Sequence, residues 1–175
     1  MPKARAQKIV QKGNPVLRAI AHEVPKKEFG SLKLSRLISQ MTKALASEEY
    51  GVALAAPQIG LSLRIFIVSP KVFAREDEET KKPAASEPPL VFINPEIVRL
   101  SRSKKLLHEG CLSVMGVYGW IERHEKVTVK ARDMQGKLFT YHGSGLLAEI
   151  FQHETDHLNG ILFIDKVQRL DPDEK

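Results

Sequence analysis

A single cysteine among 175 residues, Cys111, excludes an internal disulfide and suits a reducing cytoplasm. Long apolar runs are missing. Nothing approaches the roughly 20 consecutive apolar residues of a membrane-spanning helix, so no membrane association is expected. The start, MPKARAQKIVQKG, has no apolar stretch behind its charges, and no secretory leader is expected. Aromatic residues are only 6% of the chain, too few for the stacking platforms that bind single-stranded nucleic acid. There is no internal repeat. What is present is 42% hydrophobic and 27% charged residues, which supplies a core and a solvated surface. The length suits one domain over residues 1–175. The net charge of +6 favours encounter with polyanions such as RNA but says nothing about chemistry. Arg102, Lys104 and Lys105 form the densest basic cluster, without interleaved aromatics, and read first as solvated surface. No DNA partner is expected.

Residues 14–25, bracketed by prolines, read as a capped turn or loop. From Ser31 to about Tyr50, Leu34, Leu37, Ile38, Met41 and Leu45 recur at helical spacing, with Ser31 as cap and Gly51 as stop. Residues 61–68 read as a strand, and strands resume at 90–93, 96–100 and 125–131. DMQG at 133–136 predicts a turn, with a return strand from 137. Between them, 74–89 is charged and rich in Pro and Ala, which predicts a surface loop rather than a domain boundary. After Gly143 the period becomes helical through Leu146, Leu147, Ile150, His153, His157, Leu158 and Ile161. The order predicts an α+β fold, with antiparallel sheets around a central buried helix and a further helix near the N-terminus.

The buried helix contains His153-Glu154-Thr155-Asp156-His157. Histidines four apart share one helical face, so their imidazoles can converge on one metal ion, with Glu154 placed beside it to take a proton from water. Two core histidines satisfied by backbone carbonyls are the alternative, though each buried polar group must then find its own partner. A catalytic metal site usually needs a third protein ligand. A zinc endopeptidase of the extended histidine type would put it at 163, which is Phe163. Upstream, Cys111 stands in Glu109-Gly110-Cys111-Leu112-Ser113. It can be a thiolate ligand, a nucleophile paired with a histidine, or an inert buried thiol; the nucleophile reading leaves Glu154 idle. A third segment, GVALAAPQIG over 51–60, is rich in small residues that let a ligand backbone approach. Its Gln58 can donate to an oxyanion or simply face solvent in a tight loop.

Together the three segments, GVALAAPQ, EGCLS and QHETDH, resemble the peptide deformylase family, in that order and over roughly residues 8–165. Asn14-Pro15-Val16-Leu17-Arg18 and Asn94-Pro95 share in the likeness. The resemblance implies a hydrolase that takes the formyl group from formyl-methionine of new polypeptides and releases formate. It implies Cys111, His153 and His157 as ligands of one divalent metal, ferrous iron in cells, with nickel, cobalt or zinc as substitutes. Glu154 would be general base and then acid. Gln58 and the backbone N–H of Leu112 would hold the oxyanion. Val52 and Ala53 would pair with the substrate backbone, and Leu146 and Ile150 would help line the methionine pocket. Formyl-methionyl nascent peptides, a transient ribosome contact and a cytoplasmic location follow from the same resemblance. The chain departs from the pattern in two places. Ala53 replaces the family's second glycine, and Met115 and Tyr118 stand where a proline and a basic residue are common. The tail beyond Asp165 is short and ends DPDEK, unlike the longer basic helix with which some relatives dock on the ribosome. A catalytically silent ribosome-associated protein of the same fold is the rival from another class; the intact ligand set and Glu154 speak against it.

Overall fold

The computed structural model describes residues 8–73 and 87–172. Most of the expected loop 74–89 lies outside the described residues.

Asn14 caps the first 3-10 turn, Pro15–Arg18, by accepting from the Val16 N–H. Helix α1 spans Leu32–Ala46 and buries Leu34, Ile38, Met41, Ala44 and Leu45. The Ser31 hydroxyl accepts from the Leu34 N–H, as the capping pattern predicts. The helix ends short of the expected Tyr50. Ser47 folds back there, its hydroxyl donating to the Ala44 carbonyl at 2.7 Å. Gly51 therefore does not stop the helix. It serves close packing instead, since a Cβ at that position would meet Leu45 Cδ1 at 2.9 Å.

Among the described residues eight strands follow: β1 Ala53–Ala55, β2 Ile65–Val68, β3 Leu90–Leu100, β4 Lys104–Cys111, β5 Val114–His124, β6 Lys126–Arg132, β7 Leu138–Ser144 and β8 Arg169–Leu170. They form two sheets, in the orders β1-β2-β3-β6-β7 and β4-β5-β8, with every pairing antiparallel. The fold is thus α+β, as the sequence predicts. The strand expected over 61–68 shrinks to β2, because the Ser62 carbonyl and the Arg64 N–H bond to His22 and the Arg64 carbonyl accepts from the Asn94 N–H. The two strands expected at 90–93 and 96–100 are one, β3, with a register shift between Ile93 and Glu96. Asn94 sits there at φ 50° and clasps the Val24 backbone with both ends of its side-chain amide.

Helix α2, Leu146–Leu158, packs on β7, β1, β3 and β6 of the larger sheet and on β5 of the smaller one. Phe151 anchors it, buried edge-on against Phe92 at 5.1 Å and Tyr141 at 5.9 Å. Gly160 follows the helix at φ +73°, and a Cβ there would lie 2.5 Å from the Arg18 carbonyl oxygen. That packing sets α2 against the N-terminal turn and fixes the depth of its polar residues between the two sheets.

Candidate metal centre

Three of the sequence-predicted residues converge. Cys111 ends β4 at a register shift in the β4–β5 hairpin. His153 and His157 lie one turn apart on α2. Cys111 Sγ is 3.2 Å from His157 Nε2, which is 3.2 Å from His153 Nε2. Three ligands at ordinary metal–sulfur and metal–nitrogen distances in a tetrahedron stand about 3.4–3.6 Å apart. The donor set of one thiolate and two imidazoles, whose ligand atoms all lie within 4.8 Å of one another, therefore fits a divalent ion.

The protonation state of His157 suits that reading. Burial, helped by the neighbouring His153, holds His157 well below the usual imidazole range, so it stays a neutral donor. Burial also opposes charge on His153, but its contacts with Cys111 and Glu109 outweigh this and raise it.

Glu154 is buried beside the three donors rather than among them, and its Oε2 has no hydrogen-bond partner among the described residues. Burial pushes its carboxyl up to about 7, which poises it to exchange a proton near neutrality. Gln58 lies in the 3-10 turn Ala56–Ile59. Its Oε1 accepts from the Ala55 N–H at 2.8 Å, which turns the amide nitrogen towards Ser113 Oγ at 3.3 Å and Cys111 Sγ at 3.7 Å. The solvated alternative for Gln58 fails, since the residue is 1% exposed. Leu112 follows Cys111 in the turn, where its carbonyl accepts from Gln11 Nε2. Val52, Ala53, Leu146 and Ile150 line the same cavity as Cys111, His153 and Glu154. Ile150 is buried, whereas Leu146 is half exposed at the rim.

The sequence reading missed the charges behind the three donors. Glu109, 4% exposed, contacts His153 Nδ1 through Oε1. Arg123, 3% exposed, clamps the same carboxylate with Nε at 3.0 Å and Nη2 at 2.8 Å. Its Nη1 donates to Asp156 at 2.7 Å, and Lys166 reaches the other Asp156 oxygen at 2.5 Å. Burial would raise Glu109, but the hydrogen bonds from His153 and Arg123 prevail and lower it to about 2. The one usable signal was strand alternation. Gly119, Ile121 and Arg123 share the buried face of β5, and an arginine there needs a buried partner. Glu149 was missed too; it lines the cavity one turn before His153.

Residues 6–173 match the family model described as Polypeptide deformylase. The chain is 42% identical over 170 residues to the peptide deformylase of Halothermothrix orenii, covering 97% of each protein. It is 38% identical to the chloroplastic peptide deformylase 1A of Solanum lycopersicum, of which it spans 58%. Among solved structures, it is similar to the Met-Ala-Ser-bound class I type b peptide deformylase of Acinetobacter baumannii. The TM-score is 0.78 at 38% identity, covering 91% of this chain and 96% of that one.

Proposed function

The chain belongs to the polypeptide deformylase family, metal-dependent hydrolases that remove the N-terminal formyl group from polypeptides, and we propose that Cys111, His153 and His157 hold the metal. The observation that carries this assignment is the convergence of those three donor atoms beside a buried carboxylate with an unpartnered oxygen. Ferrous iron is the proposed ion, with nickel, cobalt or zinc as substitutes, since borderline metals accept mixed thiolate and imidazole donors. Bound there, the ion would polarise the formyl carbonyl and acidify water.

The chain's own groups do the rest. Glu154 takes the proton from the attacking water and passes it to the leaving amine, so that formate and a free N-terminus depart. The Gln58 amide and the Leu112 N–H donate to the oxygen as it becomes negative. The Ala55 N–H holds the Gln58 side-chain oxygen, which keeps the amide nitrogen on the Cys111 side. β1 is the edge strand of its sheet, so an extended peptide can pair along Ala53 and the preceding Val52, whose carbonyl already accepts from the Ser69 N–H. Leu146 and Ile150 wall the space for the first side chain.

Formyl-methionyl nascent peptides are the proposed substrates, met in the cytoplasm during transient contact with the ribosome; the net charge of +6 and the single cysteine support that setting. An endopeptidase reading gains nothing from the geometry, because Phe163 is a buried ring stacked 6.5 Å from His153 rather than a ligand. Anaerobic purification, metal quantification and formate release from formyl-Met-Ala-Ser test the assignment together. One ion per chain with turnover is expected. A chain that binds no metal, or turns over without it, would sink it.

A further inference from the structure

The two faces of the larger sheet differ in kind. Inward, Val127, Val129 and Ala131 of β6 are buried in one cluster with Ile150 and Phe151 of α2. Outward, strand alternation presents Lys126, Thr128, Lys130 and Arg132 of β6, with His142 and Ser144 of β7 beside them. No acid stands on the outer face of either strand. β3 adds Arg99, opposite Thr128, and one acid, Glu96, opposite Lys130. Arg99, Lys126 and Lys130 are exposed and form no ion pair among the described residues.

A hollow of about 500 Å³ opens on this face, lined by Arg99, Ser101, Lys126, Thr128, His142 and Ser144 among others. Thr128 Oγ1 and His142 Nδ1, 3.0 Å apart, hold its polar lining in place. The densest basic cluster of the sequence divides beside it. Lys104 and Lys105 are taken up by Glu122 and Glu125, each at 2.9 Å. Arg102 follows Ser101 of the hollow, is exposed, and has no such partner among the described residues. Glu125, just before β6, is already engaged by Lys105, so it does not cancel Lys126.

We propose that the outer face of β3, β6 and β7 docks on the phosphate backbone of double-helical RNA. The proposal gives the ribosome contact above a surface and a chemistry, and rests on that reading for its setting. Unpaired Lys and Arg side chains attract phosphates, and the Thr128 and Ser144 hydroxyls are ordinary phosphate and sugar contacts. Arg99, Thr128 and His142 lie on three neighbouring strands, a row about 10 Å across. Lys126 and Lys130 stand about 13 Å apart along β6. A duplex offers several phosphates over such a span. No Phe, Tyr or Trp ring faces outward from β6 or β7, since Phe139 and Tyr141 pack inward, so unpaired bases have no platform. Duplex RNA is instead recognised by shape and by phosphate and 2′-hydroxyl contacts. A protein partner would want an apolar centre, and the middle of this face, Thr128, Lys130 and Thr140, is polar.

The test is fluorescence anisotropy of a labelled RNA duplex of about 20 base pairs, titrated with the full metal-loaded chain. A Kd of about 1–100 μM near physiological salt is expected, weakening about 10- to 150-fold between 50 and 200 mM salt, as two to four phosphate contacts require. Lys126→Glu with Lys130→Glu should weaken binding by roughly tenfold or more and flatten the salt dependence. Arg36→Glu with Lys43→Glu, the same change of net charge on α1, should cost no more than about twofold. Formate release from formyl-Met-Ala-Ser should be equal in all three proteins, which also shows that the variants fold. Equal loss of RNA binding in both double variants would overturn the proposal, since net charge alone would then explain it. So would the absence of duplex binding at 50 mM salt, or tighter binding of an unpaired strand of the same length. Polyglutamate bound as tightly as the duplex would assign the face to an acidic protein and overturn the proposal as well. Failure of every preparation to release formate would overturn the deformylase reading and the ribosomal setting, while the duplex titration decides the RNA face separately.

Discussion

Glu109 holds His153 from behind: its carboxylate takes Nδ1, which leaves Nε2 facing Cys111 and His157. Such outer partners fix the orientation and raise the basicity of a metal-binding imidazole, and losing them typically costs 10- to 100-fold in metal affinity. Glu109→Gln should therefore weaken metal binding by about that factor. It should also cost about 3 kcal/mol or more of stability, because Arg123 loses one of its two buried counter-charges. A metal titration and a thermal melt of the same preparation check both. Unchanged affinity would show that the ligands orient themselves without Glu109.

Glu154→Ala should abolish deformylation while leaving the metal in place. The carboxylate is buried beside the three donors and is not one of them. A general base contributes about 100- to 10,000-fold. Metal content by elemental analysis, alongside kcat, decides the matter. Stoichiometric loss of the ion would make Glu154 a ligand.

Gly160→Ala should destabilise the fold without touching the chemistry directly. The positive φ costs roughly 1 kcal/mol for an alanine, and the crowding against the Arg18 carbonyl adds about 1–3 kcal/mol. A loss of about 2–4 kcal/mol in denaturant unfolding is expected. A loss below 1 kcal/mol would mean that the turn after α2 yields more easily than its packing implies.

Formyl-Met peptides should be preferred over formyl-Ala peptides of the same sequence. Burying a methionine side chain against Ile150 and Leu146 contributes roughly 1.5–3 kcal/mol, or about 10- to 150-fold in kcat/KM. The lower half of that range is expected, because Leu146 is half exposed and Glu149 stands in the same wall. Equal kcat/KM values would remove Leu146 and Ile150 from the pocket.

The two histidines and Glu154 could be placed on one short stretch of helix because their spacing is local. A four-residue interval on a helix fixes a shared face whatever else the chain does. The motif order then pointed to Cys111 and Gln58. The support behind them was harder to read, because it depends on strand register. Glu109 and Arg123 meet only because the β4–β5 hairpin closes with Glu109 opposite Gly119, and Asp156 joins them from another element. β4 itself was missed, since KKLLHEGC carries charges at both ends and shows no clean alternation. The overlong α1 has a similar cause. Helical periodicity does not report that Ser47 bonds back to Ala44 and ends the helix.

The two histidines ride on a helix bedded mainly in the larger sheet, while Cys111 belongs to the hairpin of the smaller one. An ion gripping all three would rivet the layers together. Its binding energy would then become cohesion: each tenfold rise of free ion above Kd would add about 1.4 kcal/mol to the folded state. Chelation would act as a loosening agent, felt first where β4, β5 and β8 part from α2. The lifetime of the folded chain would thereby be tied to the supply of the ion that it works with.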